Sequence, residues 1–192
     1  MRNFLLTPTG DIIRSGLAEF MGTAILLLYA CTACVHGLGN VATAFTFGLT
    51  VFALASSIGH VSGCHVNPGV TIGMLCNGKI DLIRAVVYFI AQMVGGVVGA
   101  GLIWILTPDN PEFTPQNWKT YQKLCPTVLQ HGTTPVQGIV IEAIIVFLLV
   151  FVVCNVCESN PNLAPITIGL TVTVGHFFAV SLLSSLICET LS

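Results

Sequence analysis

The stretch Gly59-His60-Val61-Ser62-Gly63-Cys64-His65-Val66-Asn67-Pro68-Gly69-Val70 decides how this chain folds. No charged side chain occurs from Phe20 to Gly78, yet this segment is dense in glycine, histidine and hydroxyl groups. Asn67 followed by Pro68 is a helix-start signal. The amide side chain caps, and a proline in the first turn loses no hydrogen bond, because N–H groups there have no intrahelical partner. The helix is expected to run from Pro68 to about Cys76, where Asn77-Gly78 stops it. That is too short to cross a bilayer, which takes about 20 residues. Irregular backbone in apolar surroundings is tolerated only where protein encloses it or where it lines a watery cavity. The stretch therefore reads as a pore or binding loop leading into a re-entrant half-helix.

Composition agrees with a membrane setting. Of 192 residues 54% are hydrophobic and only 7% charged, with a mean hydropathy of +0.91, whereas a soluble domain carries about 25% charged residues. The formal net charge of -2 and six Lys plus Arg provide no basic patch for nucleic acid. Arg2 and Arg14 precede an apolar run from Leu17 to Val35 that is longer than a signal-peptide core and lacks a cleavage site, so it reads as a retained first helix. The pairs Cys31/Cys34 and Cys154/Cys157 have C-x-x-C spacing, but they lie in or at the ends of apolar spans without histidine or acidic neighbours in a zinc-like arrangement. They read as small buried hydrophobes, and no metal site is expected.

Working outward, apolar segments are expected over about 11–35, 41–58, 82–106, 136–157 and 164–183, five crossings in one membrane domain over 1–192. Lys79, Asp81 and Arg84 form a charged hinge before the third. Gly95-x-x-x-Gly99 inside it permits close helix packing. Residues 107–135, with five prolines and charged side chains, read as a long loop outside the hydrocarbon, with Trp118 and Tyr121 resting at the interface. A cytoplasmic N-terminus places Arg2, Arg14, Lys79 and Arg84 inside and Lys119 and Lys123 outside, in the direction of the positive-inside rule.

The two halves repeat. Glu19 sits in the first segment as Glu142 sits in the fourth, and Phe47-Gly48-Leu49-Thr50-Val51 has its counterpart in Ile168-Gly169-Leu170-Thr171-Val172. This is the mark of an inverted-repeat membrane protein, with a first repeat over 11–106 and a second over 136–192. The repeat spacing expects a second loop asparagine near 188, where Cys188-Glu189-Thr190 stands. The second repeat is thus expected to be incomplete. Acids inside a span are functional candidates by default. Here the repeat-related placement of Glu19 and Glu142 suggests instead that each braces the loop of its own half by accepting backbone N–H bonds. No nucleophile or metal cluster accompanies them, so no catalytic residue and no enzyme are expected.

The chain resembles the aquaporins of the major intrinsic protein family, closest to the animal water-selective branch. The resemblance rests on Ala18-Glu19-Phe20, on Ala44-Phe45-Thr46-Phe47-Gly48, and on Ser62-Gly63-Cys64-His65-Val66-Asn67-Pro68-Gly69-Val70-Thr71, in order and spacing, and covers about residues 11 to 181. It implies an all-α membrane protein, a right-handed bundle with one re-entrant half-helix and five crossing helices instead of six, truncated before the second Asn-Pro-Ala motif. The family motif is Asn-Pro-Ala, so Gly69 is a departure, one that lowers helix propensity by about 1 kcal/mol relative to alanine.

The resemblance further implies a passive water channel without cofactors, homotetrameric or in mixed tetramers with full-length subunits, multi-pass in the plasma membrane. Asn67 is then both N-cap and hydrogen-bond donor to water, with Pro68 and Gly69 beside it and backbone carbonyls from Gly63 to Val66 as acceptors along one wall. Cys64, three residues before Asn67, should face the pore mouth. His65 has two readings, a pore-lining side chain or a partner of buried backbone, and His60 reads as structural. Phe47 and His176 match two of the four positions of the family's outer constriction, where a histidine accompanies narrow, water-selective members. The alternative reading is a truncated, non-conducting isoform or fragment that associates with full-length subunits.

Overall fold

In a computed structural model of the chain, residues 8–35, 38–107 and 134–182 are described. Most of the loop expected over 107–135, including Trp118 and Tyr121, and the position near 188 lie outside them. Among the described residues six helices follow in order: α1 (Pro8–Val35), α2 (Asn40–Ser62), α3 (Pro68–Cys76), α4 (Leu82–Leu106), α5 (Pro135–Ser159) and α6 (Ala164–Leu182). Four of them, α1, α2, α4 and α5, are long and apolar enough to cross a membrane, and α6 is apolar but shorter over the stretch to Ala179. Among the described residues, four of the five expected crossings therefore reach spanning length. The half-helix α3 starts and ends where Asn67-Pro68 and Asn77-Gly78 place it.

One boundary differs from the sequence reading. The second apolar segment was expected to end near Ile58, but α2 continues through Ser62. His60, Val61 and Ser62 contain no breaker, and Gly59 alone does not stop a helix. The turn comes at Gly63, whose φ of 88° ends the helix in the left-handed region, with its N–H donating to the Gly59 carbonyl at 2.9 Å.

Helix α1 packs on α4 and on α2, α2 packs on α6, α5 on α6, and α3 sits between α4 and α5. Where α2 crosses α6, the repeat-related Gly48 and Gly169 face one another. A Cβ on Gly169 would stand 2.6 Å from the Gly48 carbonyl oxygen, and one on Gly48 would stand 2.5 Å from the Gly169 carbonyl oxygen. Gly95 and Gly99 serve the α1–α4 crossing in the same way, against the backbone of Phe20 and Ala24. Apolar helices in lipid have no solvent to escape, so close backbone approach through small residues supplies the contact energy. The outer faces carry exposed Val97, Ile105, Ile139 and Phe147, the surface lipid contact requires.

Ion pairs gather Asp11, Arg14, Lys79, Asp81, Arg84 and Glu158 at one end. Arg84 Nη2 lies 2.7 Å from Asp11 Oδ2, Arg14 Nη2 lies 2.8 Å from Asp11 Oδ1, and Lys79 pairs with Glu158. Asp81 caps α4 by accepting from the Arg84 N–H at 2.9 Å. The starts of α1 and α4 thus share an end with the finish of α5. The hydrogen bond to Glu158 holds the Lys79 ammonium above its ordinary range. Among the described cysteines, 31, 64, 76, 154 and 157 are free thiols. Two of the C-x-x-C cysteines depart from the expectation of small buried hydrophobes: Cys34, in the last turn of α1, is buried but disulfide-bonded, and Cys157, near the end of α5, is exposed.

Gly48→Ala is expected to destabilise the α2–α6 crossing by about 1–3 kcal/mol through overpacking against backbone that cannot yield. Gly101→Ala, where a Cβ meets nothing within 4 Å, is expected not to. Thermal unfolding of the two variants in detergent checks the contrast.

Candidate functional site

The polar loop between α2 and α3 is held by one carboxylate. Glu19, on the inward face of α1 and 0% exposed, accepts four hydrogen bonds. Its Oε1 receives the Ser62 hydroxyl at 2.6 Å and the His65 N–H at 2.9 Å, and its Oε2 receives the Val66 N–H at 2.6 Å and the Gln92 amide at 2.7 Å. Ser62 Oγ in turn accepts from the Cys64 N–H at 3.0 Å. Three successive N–H groups of the loop are therefore directed into protein. Such satisfaction is obligatory for buried backbone.

The loop reaches this arrangement through left-handed backbone at Gly63, Cys64 (φ 52°) and Val66 (φ 41°). The last two are residues for which such φ values are uncommon and cost energy, held here by the fixed acceptors. With the N–H groups committed to Glu19 and Ser62, the carbonyl oxygens of Gly63, Cys64, His65 and Val66 accept no hydrogen bond among the described residues. The loop thus separates donors from acceptors.

Asn67 ends the loop and begins α3. With extended φ and ψ of -152° and 124°, its Oδ1 accepts from the Gly69 N–H at 2.7 Å and the Val70 N–H at 3.3 Å. Both ligands of that oxygen are donors, so the amide nitrogen is the other terminal atom. It has no acceptor among the described residues. Pro68 occupies the first helical position, and α3 adds its dipole, about half a positive charge at the N-terminus, at the same point.

His65 lies inside the protein. The residue is 5% exposed, and its ring packs edge-on to Tyr88 with centroids 5.2 Å apart and brings Nδ1 to 3.1 Å from Thr71 Oγ1. Cys64 is half-buried, Gly63 is exposed and so is His60. Phe47 on α2 and His176 on α6 stack with ring centroids 4.6 Å apart and planes 22° from parallel. Glu142 is exposed on α5 and makes no hydrogen bond or ion pair among the described residues; the position near 188, where the repeat spacing expects the loop of its own half, lies outside them.

Several residues that hold the loop were not singled out from the sequence for that role. Tyr88, fully buried, donates from its hydroxyl to the Ser62 carbonyl at 2.7 Å. Gln92 links Glu19 to Thr71, donating from Nε2 to Thr71 Oγ1 at 2.9 Å. Thr71 Oγ1 lies 3.2 Å from the Asn67 carbonyl. The available signal was Tyr88 and Gln92 one turn apart in an otherwise apolar span, on the stripe Ala85, Tyr88, Gln92, Gly95, Gly99 that a membrane helix turns inward. No group of three His, Cys, Asp or Glu side chains able to hold a metal occurs among the described residues.

The chain matches the family described as Major intrinsic protein over residues 7–185. It is 31% identical to mouse Aquaporin-4 over 176 residues, covering 85% of this chain and 52% of that protein. It is 33% identical to pig Aquaporin-5 over 176 residues, covering 88% of this chain and 63% of that protein. The chain thus spans between half and two thirds of the length of these relatives. Its fold is similar to that in the X-ray structure of the aquaglyceroporin from Plasmodium falciparum, with a TM-score of 0.74 at 20% identity, covering 94% of this chain and 81% of that one.

Glu19→Gln replaces one acceptor with a donor facing donors. Each hydrogen bond broken this way in a buried site costs about 1–3 kcal/mol, so local opening should rise about five- to a hundredfold. Amide hydrogen exchange at His65 and Val66 is expected to accelerate by that factor, while exchange in the middle of α5 stays unchanged.

Proposed function

Because the chain belongs to the major intrinsic protein family, we propose that it is a passive transmembrane channel for water, a conduit and not an enzyme. The observation that carries this reading is the sorting of hydrogen-bonding groups in the loop. Its N–H groups are taken by Glu19 and Ser62, and four successive carbonyls end at Asn67, whose amide N–H groups have no protein acceptor among the described residues. A row of acceptors leading to a donor suits single-file water, which needs hydrogen bonds along the wall in place of those it leaves behind. At Asn67 the water oxygen accepts a hydrogen bond from the amide N–H. The positive end of α3 repels cations there and turns the water, which interrupts proton relay along the file.

In this reading Gly63, Cys64, Asn67, Pro68 and Gly69 line the path. His65 contributes its carbonyl, its ring being buried against Tyr88. Glu19 is the loop's brace, and Glu142 is the corresponding brace for a second loop. Phe47 and His176 form two sides of the constriction, a histidine there favouring water over glycerol. The chain works in the plasma membrane with its N-terminus cytoplasmic, as a homotetramer or in mixed tetramers with longer subunits.

A second reading has the 192-residue chain as a non-conducting partner of such longer subunits. It is favoured by the contact between Phe47 and His176, whose stacking at 4.6 Å leaves no gap for water between the rings. Osmotic swelling of vesicles containing the purified chain separates the two. Swelling faster than protein-free vesicles supports the channel, and equal rates support the second reading. In a conducting preparation, a mercurial is expected to slow swelling toward the protein-free rate through Cys64, and Cys64→Ser should keep the flux. Unchanged flux in the reagent with Cys64 present would refute the placement of Cys64 on the path.

A further inference from the structure

We propose that Val146 and Val150 of α5 are positioning residues for Asn67, and that Gly69 is present to admit Val146 and does not widen the path. Helix α3 presents Gly69 and Gly73, one turn apart, to α5. A Cβ on Gly69 would stand 2.9 Å and 3.4 Å from the two methyl groups of Val146 and 3.1 Å from Asn67 Oδ1. A Cβ on Gly73 would stand 2.6 Å and 2.7 Å from the two methyl groups of Val150. Val146 and Val150 are themselves one turn apart, so two valines of one helix fit two glycines of the other in register.

The first pair bears directly on the loop. The volume that an alanine methyl would fill at position 69 is already occupied by Val146, so the loss of that methyl opens no space. The same glycine leaves room for Asn67 Oδ1 to lie over the Gly69 and Val70 N–H groups at 2.7 Å and 3.3 Å. β-branched valine holds a single χ1 rotamer on a helix and does not swing aside cheaply. An added Cβ at position 69 therefore moves the start of α3, and Asn67 and Cys64 move with it. The loop is braced from one side by Glu19 and Gln92 on α1 and α4, and α5 sets its depth from the other.

The consequence for permeation rests on the channel reading, but the placement does not, and a thiol reports it without flux. The purified chain is treated with N-ethylmaleimide, and modification of Cys64 is followed by peptide mass spectrometry in single and paired variants. Gly69→Ala is expected to change the Cys64 rate by about fivefold or more, the lower end of what overpacking does to a local equilibrium. Adding Val146→Ala should return it to within about twofold of the parent, and adding Val150→Ala should not, because only residues in contact couple. Gly73→Ala should show the opposite preference. An unchanged rate in Gly69→Ala, or equal rescue by either valine substitution, overturns the proposal. If Gly69→Ala alone does not fold, the pair Gly69→Ala with Val146→Ala decides: recovered folded protein supports the proposal and continued misfolding overturns it. The expected labelling pattern in a chain that never swells vesicles faster than lipid alone would leave the wedge standing and remove the channel reading.

Discussion

Everything in the polar centre of this protein depends on one buried acceptor. A loop at membrane depth must place its N–H groups somewhere, and the apolar run from Phe20 to Gly78 has few side chains able to take them. Glu19 takes two directly and a third through Ser62. An unpaired N–H in a dry interior costs about 1–3 kcal/mol, so a carboxylate receiving several at once outweighs the strain of left-handed backbone at Cys64 and Val66. The same bonds decide which way the carbonyls face. Donors turn to protein and acceptors turn away from it, as the alternation of the backbone requires.

The acceptor is effective only because the helices stand close. Gly95 and Gly99 let α4 approach the backbone of α1, which brings Gln92 to Glu19 and Tyr88 to the Ser62 carbonyl. Gly22 of α1 admits Val66, against which a Cβ would stand 2.7 Å away. The crossing of α2 and α6 through Gly48 and Gly169 is a separate contact of the same kind. It places Phe47, beside Gly48, and His176, about two turns beyond Gly169, face to face. Packing of small residues is thus the condition for the polar chemistry, and in a bilayer it carries that burden without help from hydrophobic exclusion between helices.

Glu19 and Glu142 show how the same residue type in related positions diverges with surroundings. Glu19 is enclosed and fully engaged, whereas Glu142 is exposed and has no partner among the described residues. A carboxyl group in apolar surroundings is costly unless hydrogen-bonded. Among the described residues, Glu19 finds its acceptor role through partners on α2, the loop and α4.

What the sequence determined by itself is local. Hydropathy located the spans, Asn67-Pro68 started the half-helix and Asn77-Gly78 ended it, because caps and breakers act on backbone groups within a few residues. A carboxylate inside an apolar run pointed to Glu19 by its cost alone. Tertiary structure decided the partners. The bonds to Glu19 join residues 43 to 73 positions apart, and which side chain arrives there depends on helix rotation and crossing, which no short window encodes. So the partners of Gln92 and Tyr88 emerged only from the packed bundle, although their place on one stripe of an apolar span was legible. His65, legible either as pore-lining or as internal, was turned against Tyr88 by the same packing, and Gly69, legible only as a weak helix former, acquired its meaning from a valine on another helix.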